Sequence, residues 1–410
     1  MQQMKQRIDV MFFALMIFAS AVLGADHDRN VMRAIVIMIA FIYSLLRYIF
    51  NKGFYISNLI PIEMVIWIVC FFCLYFLYGN LYYNNLNLFG GNDTAAVLLL
   101  FVIASMLFIG NQRENYMWVY MRNVYLLTLI LYLGYMFWVF SNVSLIELAG
   151  FYRLGDAVQG EYFLKGNSND VAISVSVLMA PILYELLCNK KRLYLFPSII
   201  SVPVVLFTGS KSGVIILFLY VIAFWCIGRA TNLKKIFMGF LLFLSFFILI
   251  TTNDTLNTII GQRLLDFIDF FVFNDGSVYS DSTEVRSSMY KIGVDLWLEA
   301  PILGGGLGSF QEFSGIDAYS HNTYIELMTS FGLLGLCLYY SYPFYTMFLL
   351  FYRNVARVNL FVISVIIISL FIDCVGVRFY DYISWVNNIF ILSYAQIVLR
   401  KRIQLIKMKI

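Results

Sequence analysis

The run His321-Asn322-Thr323-Tyr324-Ile325-Glu326, followed by Gly332-Leu333-Leu334-Gly335, joins a polar stretch to a very apolar one. His321 is one of two histidines in 410 residues. An imidazole at such a boundary titrates near neutrality and can take a proton from a hydroxyl without a cytosolic nucleotide. Glu326 lies inside the start of the apolar run, where a carboxylate is costly and defaults to a functional or paired role. Five positions apart, the two side chains do not fully share a helical face. Direct pairing therefore requires a helix that begins after His321. His321 and Glu326 are the candidate catalytic residues, and Asp373 with Arg378 is another candidate pair.

Cations supply the complementary chemistry. Lys211 sits within Thr208-Gly209-Ser210-Lys211-Ser212-Gly213, whose glycines and serines offer backbone and hydroxyl donors to an anion, with the lysine as countercharge. The Walker spacing is absent, so this is no nucleotide phosphate loop. A solvated turn with a snorkelling lysine is the bland alternative. Arg286 lies one residue off an apolar stripe, where an ordinary surface arginine is the default. With Arg153, Lys165, Arg263, Lys291 and Arg378 it makes one side of the chain cationic, which suits a bulky anionic ligand presented from a membrane.

The elements that position these residues follow from composition. Hydrophobic residues are 61% of the chain and charged ones 13%, so lipid must be the solvent for most of the apolar surface. Backbone groups cannot go unpaired there, which leaves helices or a closed barrel. Apolar runs of about 18–22 residues without alternation exclude the barrel. The expected fold is an all-α polytopic membrane protein with about 12 transmembrane helices and a large extracytoplasmic loop containing short helices. The spans fall at 10–25, 31–50, 59–78, 94–111, 123–141, 171–188, 194–208, 212–229, 236–252, 323–351, 358–377 and 383–399. The first follows Lys5 and Arg7 and could end in a cleavage site near Ala25; a retained helix is the expectation.

Orientation follows from the basic residues. With both termini in the cytoplasm, 19 of the 28 Lys and Arg fall in inner segments, each holding at least two. The expected organisation is residues 1–252 as helices 1–9, 253–322 as the large extracytoplasmic loop, and 323–410 as helices 10–12 with a cytoplasmic tail. A second outer loop spans 142–170. In the longer loop, Asn257 to Phe273 reads as a helix flat on the interface. A second helix starts at Asp281 with Glu284 as capping partner, and Val285, Met289, Ile292 and Leu296 form its buried stripe. Pro301 stops it, and Gly304-Gly305-Gly306-Leu307-Gly308 permits a tight path back toward His321.

Metal and redox chemistry find little support. His27 and His321 lie in different outer loops, and all six cysteines fall within or at the ends of spans. Cys70 and Cys73 form a CxxC inside an apolar helix, which reads as small-residue packing rather than a zinc or redox site. No cofactor, metal or nucleic-acid partner is expected.

In order, Gly166-Asn167-Ser168-Asn169-Asp170, Thr208 to Gly213, Arg286 and Trp297 before Pro301, Gly308-Ser309-Phe310 and the histidine run resemble the O-antigen ligase and polymerase family of bacterial envelope glycosyltransferases. The resemblance covers roughly residues 165–340. It implies a multi-pass protein of the bacterial cytoplasmic membrane that transfers a glycan from undecaprenyl pyrophosphate to an acceptor at the outer face, without metal. It implies that His321 is the catalytic histidine and that Lys211 and Arg286 hold the pyrophosphate, with Arg153 a further candidate. Many relatives carry arginine in place of Lys211, and lysine is a point charge rather than a bidentate fork. The expected partners are a lipid-linked glycan donor, a glycan acceptor and the bilayer, with a chain-length regulator and a flippase as further candidates. Three activities compete: a polymerase extending an O-antigen or capsule glycan, a ligase moving finished glycan to lipid A core or another acceptor, and a transporter or flippase. The transporter reading is weakened by the lack of an internal repeat.

Overall fold

An apolar chain in lipid satisfies its backbone within helices, and every regular element of the described residues is helical. The computed structural model describes residues 2–22, 27–52, 59–82, 91–141, 168–208, 210–228, 281–316, 318–352 and 357–407, with positions 241, 245, 248 and 252. The α-helices are α1 (Gln2–Val22), α2 (His27–Lys52), α3 (Ile62–Tyr82), α4 (Gly91–Gly110), α5 (Met117–Ser141), α6 (Ser168–Leu187), α7 (Leu195–Phe207), α8 (Lys211–Gly228), α9 (Asp281–Glu299), α10 (Ser309–Phe313), α11 (Thr323–Tyr352), α12 (Arg357–Asp373) and α13 (Tyr382–Lys407).

Eleven of the twelve expected spans coincide with one of these helices; 236–252 lies almost wholly outside the described residues. Among the described residues, six stretches are long and apolar enough to cross a membrane: Val31–Phe50, Glu114–Trp138, Asn169–Leu187, Lys211–Gly228, Thr323–Tyr352 and Tyr382–Arg400. Ile62–Tyr78, Ala95–Gly110, Arg192–Leu206 and Leu360–Asp373 are apolar but shorter. The chain is an all-α, multi-pass membrane protein. Its contacts divide it into two compact units, residues 1–32 with 121–283 and residues 33–120 with 284–410.

In the first unit, α6 is buried from Val171 to Glu185 and packs on α7 and α8. Small residues allow that approach: a Cβ on Gly213 would strike the Ala172 side chain, and one on Gly228 would meet the Leu187 carbonyl at 2.7 Å. Ser176 Oγ lies 3.1 Å from the Gly213 carbonyl at the same crossing. At the other end of α6, the fully buried Glu185 carboxylate takes Arg122 at 3.2 Å, Lys191 at 3.0 Å and the Asn189 amide at 2.8 Å. A buried charge so compensated is structural rather than available for chemistry.

The second unit has an aromatic core. Trp67, Phe71, Phe72 and Tyr75 of α3 meet Phe331, Tyr339 and Tyr342 of α11 and Trp385 of α13. Pro343 has no N–H, so the Tyr339 carbonyl loses its helical partner. The Trp67 indole replaces it, donating to the Leu338 carbonyl at 2.8 Å and that of Tyr339 at 3.2 Å.

Helix α11 is also broken at Gly332 (φ 63°, ψ −161°). The two backbone bonds lost there are remade with the glycine run. Gly305 and Gly306 N–H donate to the Thr329 and Ser330 carbonyls at 2.7 and 3.0 Å. Leu333 and Leu334 N–H donate to the Pro301 and Ile302 carbonyls at 2.9 and 3.1 Å. Non-helical backbone inside a membrane bundle survives only when protein satisfies it in this way. A Cβ on Gly304 would lie 2.6 Å from the backbone of residues 330–332, and one on Gly332 would strike Ile302. The expected tight path at 304–308 is therefore half of an interlock with α11.

Two expectations need correction. Val285 is 48% exposed; the buried face of α9 instead carries Met289 and Gly293. Cys70 and Cys73 are exposed rather than packed between helices, because they lie on the face of α3 away from the aromatic core. The helix expected over 257–273 lies outside the described residues, as do the side chains of Asp281 and Glu284.

Candidate active site

Asn322 is the residue that builds the start of α11. Its Oδ1 accepts the Tyr324 and Ile325 N–H groups at 2.9 and 3.2 Å, satisfying two orphan donors of the helix N-terminus. Its Nδ2 donates to the Cys374 carbonyl at 3.3 Å, tying the cap to the turn after α12. Thr323 reinforces the tie: its Oγ1 accepts Arg378 N–H at 2.9 Å and donates to the Gly376 carbonyl at 2.7 Å.

His321 stands one residue before this cap with φ 55°, a left-handed conformation unusual for a residue with a Cβ. What holds it there is Glu326. Its Oε2 accepts the Ser320 N–H at 2.9 Å, so the carboxyl fixes the Tyr319–Ser320 peptide, one before the peptide that leads into His321. Glu326 is fully buried, and its Oε1 has no partner among the described residues. The helix does begin after His321, yet the carboxyl reaches the backbone of Ser320 and makes no hydrogen bond to the imidazole.

The imidazole is half-buried. Burial first, then the positive charge of Arg286, pushes its pKa down to about 4. Arg286 is thus an electrostatic neighbour of His321. It is carried by α9, whose Tyr290, one turn on and on the same face, donates its hydroxyl to the Cys374 carbonyl at 3.3 Å. Gly293 lets α9 sit close to α11, since a Cβ there would meet the Ile325 side chain and lie 3.4 Å from the Phe310 ring. Tyr319 completes the surroundings: its ring centroid is 4.3 Å from that of His321 and 6.4 Å from that of Tyr380.

The structure therefore brings together Arg286, His321 and, beneath them, Glu326. Lys211 belongs to the other compact unit, at the first turn of α8. Ser210 caps that helix, accepting Gly213 N–H at 3.2 Å, and its Oγ lies 3.1 Å from that of Ser212. Both hydroxyls are buried, so they serve the turn rather than standing open to an anion. Arg153 lies outside the described residues. Asp373 and Arg378 are both buried: Asp373 accepts the Tyr340 hydroxyl at 2.9 Å, and the Arg378 guanidinium is 3.9 Å from Asp381.

Sequence reasoning quoted Asn322 in the histidine run without its capping role, and gave no role to Ser320, Tyr319 or Tyr380. An asparagine just before an apolar helical run is a readable N-cap signal. The other three act through tertiary contacts that leave no spacing pattern.

Residues 196–340, from α7 into α11, match the family model described as O-antigen ligase. No curated protein matches the chain. The matched segment contains Lys211, Arg286, His321 and Glu326. The match spans 145 of the 410 residues, and over that segment the chain is similar to the O-antigen ligase family.

Proposed function

We propose that this protein is a membrane glycan polymerase. It transfers an undecaprenyl-pyrophosphate-linked glycan to a hydroxyl of another lipid-linked repeat unit at the outer face of the cytoplasmic membrane. The observation that carries the reading is His321, held on a left-handed turn beside Arg286 within the segment that matches the O-antigen ligase domain. Ligase chemistry is the same, and the match supports transfer to a lipid A core or another acceptor equally well.

His321 is neutral at physiological pH, as a general base must be. It takes the proton of the acceptor hydroxyl as that oxygen bonds the anomeric carbon. The bond from this carbon to the phosphate oxygen breaks, and the electron pair leaves with the undecaprenyl diphosphate. Arg286 stabilises the charge growing on the leaving group, and Lys211 and Arg153 are the further cations implied by the resemblance. No second nucleophile stands beside the histidine among the described residues, so one displacement with inversion fits best. Glu326 acts through Ser320 as a positioning residue.

The imidazole is a weak base while Arg286 is uncompensated. A diphosphate against that guanidinium cancels part of its field and raises the basicity of His321, arming the base when donor is bound. Burial, the larger cause of the depression, persists.

The test is a deletion strain examined by glycan electrophoresis. A single repeat on an otherwise normal acceptor is the expected result. Full-length glycan stranded on its carrier establishes the ligase instead, and repeats trapped on the cytosolic side establish a flippase and defeat the transfer reading.

A further inference from the structure

Helices α2, α3 and α4 of the second unit leave an apolar cavity of about 400 Å³ between them. It runs along α3 from Val65 to Phe76 and along α4 from Gly110 back to Leu99. Eleven steps of about 1.5 Å on each helix make it about 16 Å long. That is the depth of one leaflet, half of a hydrocarbon core of about 30 Å. Val69, Cys73 and Ile103 line it and are exposed, so the slot opens sideways. Its volume falls in the range of ligand pockets, about 300–1,000 Å³. Left empty, a carbon-lined slot forfeits packing contacts that water does not restore.

Ring contacts along α3 place the slot relative to the base. Tyr78 meets Phe331 at 5.5 Å, whereas Trp67 stacks on Tyr342 at 5.7 Å, so α3 and α11 run antiparallel. Tyr342 lies 19 positions beyond Thr323, about 28 Å along α11. The end of the slot at Val65 and Gly110 therefore belongs to the leaflet opposite His321. A lipid with its head at that end is a different molecule from a donor held beside Arg286.

Charge marks the same end. Tyr48 of α2 lines the slot there with Gly110, and Asn111 Nδ2 donates to the Ser44 carbonyl at 3.2 Å, tying α2 to the end of α4. Arg113, three residues past Gly110, is exposed and makes no ion pair among the described residues. Of the neighbouring carboxylates, Glu114 lies 3.8 Å from Arg400, and Glu63 interacts with Tyr342 of α11. An exposed cation at the headgroup level beside an apolar slot complements a phosphate that carries a hydrocarbon chain.

We propose that the slot between α2, α3 and α4 binds one acyl chain of an anionic phospholipid from the leaflet opposite His321, with Arg113 against its phosphate. The chain completes the packing of α2 on α3 and α4. The site does not depend on the transfer reading, and its failure leaves that reading standing.

The experiment follows phosphatidylglycerol binding to the full chain in detergent by native mass spectrometry. The wild type holds one lipid more tightly than any further ones. Val69→Trp/Ile103→Trp fills the slot and weakens that first lipid at least about tenfold, the scale of a lost buried chain segment. Ile66→Trp, exposed on α3 but outside the slot, behaves as wild type. Arg113→Gln weakens binding about fivefold, the scale of one cation at a lipid surface. A filled variant or an Arg113→Gln variant that binds as tightly as wild type overturns the site. Displacement of the lipid by equimolar undecaprenyl phosphate overturns it too, giving the slot to a polyprenyl tail. Should the filled variant fail to fold, phosphatidylglycerol with a mid-chain diazirine decides on the wild type. Cross-links within residues 65–76 or 99–110 support the slot, and cross-links only elsewhere overturn it.

Discussion

The imidazole of His321 is unusual in two ways, its left-handed backbone and its depressed pKa, and both lead to measurable consequences. A base that loses its proton near 4 leaves the acid limb of kcat/KM well below the 6.5 of an ordinary histidine, so activity should persist at pH 5.5 and fall toward pH 4. Arg286→Gln moves that limb upward only in part, because burial is the larger cause; a limb that stays at 6.5 in the wild type removes His321 as the base. Stability follows the same linkage. The unfolded chain binds this proton more readily than the folded one, so the His321 contribution is fully present above pH 6.5 and is lost as pH falls toward 4. His321→Ala should reach the membrane at normal level and lengthen no glycan. Glu326 separates differently. If its carboxyl only accepts the Ser320 N–H, Glu326→Gln keeps an acceptor and most of the activity, whereas Glu326→Ala loses the turn. Inactivity of the glutamine variant, with expression intact, would make Glu326 a chemical participant instead.

At the scale of elements, function depends on a helix that is interrupted where its sequence is most apolar. The run Phe331-Gly332-Leu333-Leu334-Gly335 reads as continuous helix, and its hydropathy gives no sign of a break. The break becomes intelligible only with residues 301–306 laid against it, since four backbone bonds are exchanged between the two segments. The glycines were legible as points of freedom; their partners, some thirty residues away, were not. The same holds for Trp67, which serves a carbonyl vacated by Pro343 some 275 positions further on. Gly332→Ala places a Cβ into Ile302 and forces a left-handed alanine. It should cost about 1–3 kcal/mol from the backbone alone, before the clash is counted. Lower thermal stability in detergent, with the loop from 301 to 322 more open to protease, is the expected pair of effects. A variant as stable as wild type would mean that the interlock does not hold the loop that carries His321.

For the whole molecule, the helical class and the membrane setting were readable because lipid imposes one solution on a long apolar chain, and the histidine run stood out because charge is rare in such a chain. The surroundings of the imidazole were not, since Tyr319 and Tyr380 are two among 29 tyrosines and only folding distinguishes them. The proposed chemistry also depends on which side of the membrane the loop before α11 faces, and the basic residues give an expectation for that. Nineteen of the 28 Lys and Arg fall in segments that share a side with both termini, including Lys190, Lys191 and Arg192 between α6 and α7. If such residues stay in the cytoplasm, Ala318 and His321 lie outside, as the proposed transfer requires. In a cysteine-free background, Ala318→Cys should react with a membrane-impermeant maleimide in intact spheroplasts, and Lys190→Cys only after the membrane is opened. Alkaline phosphatase fused after residue 410 should be inactive for the same reason. The reverse pattern would put the imidazole in the cytosol, and the transfer chemistry would have to be abandoned with it.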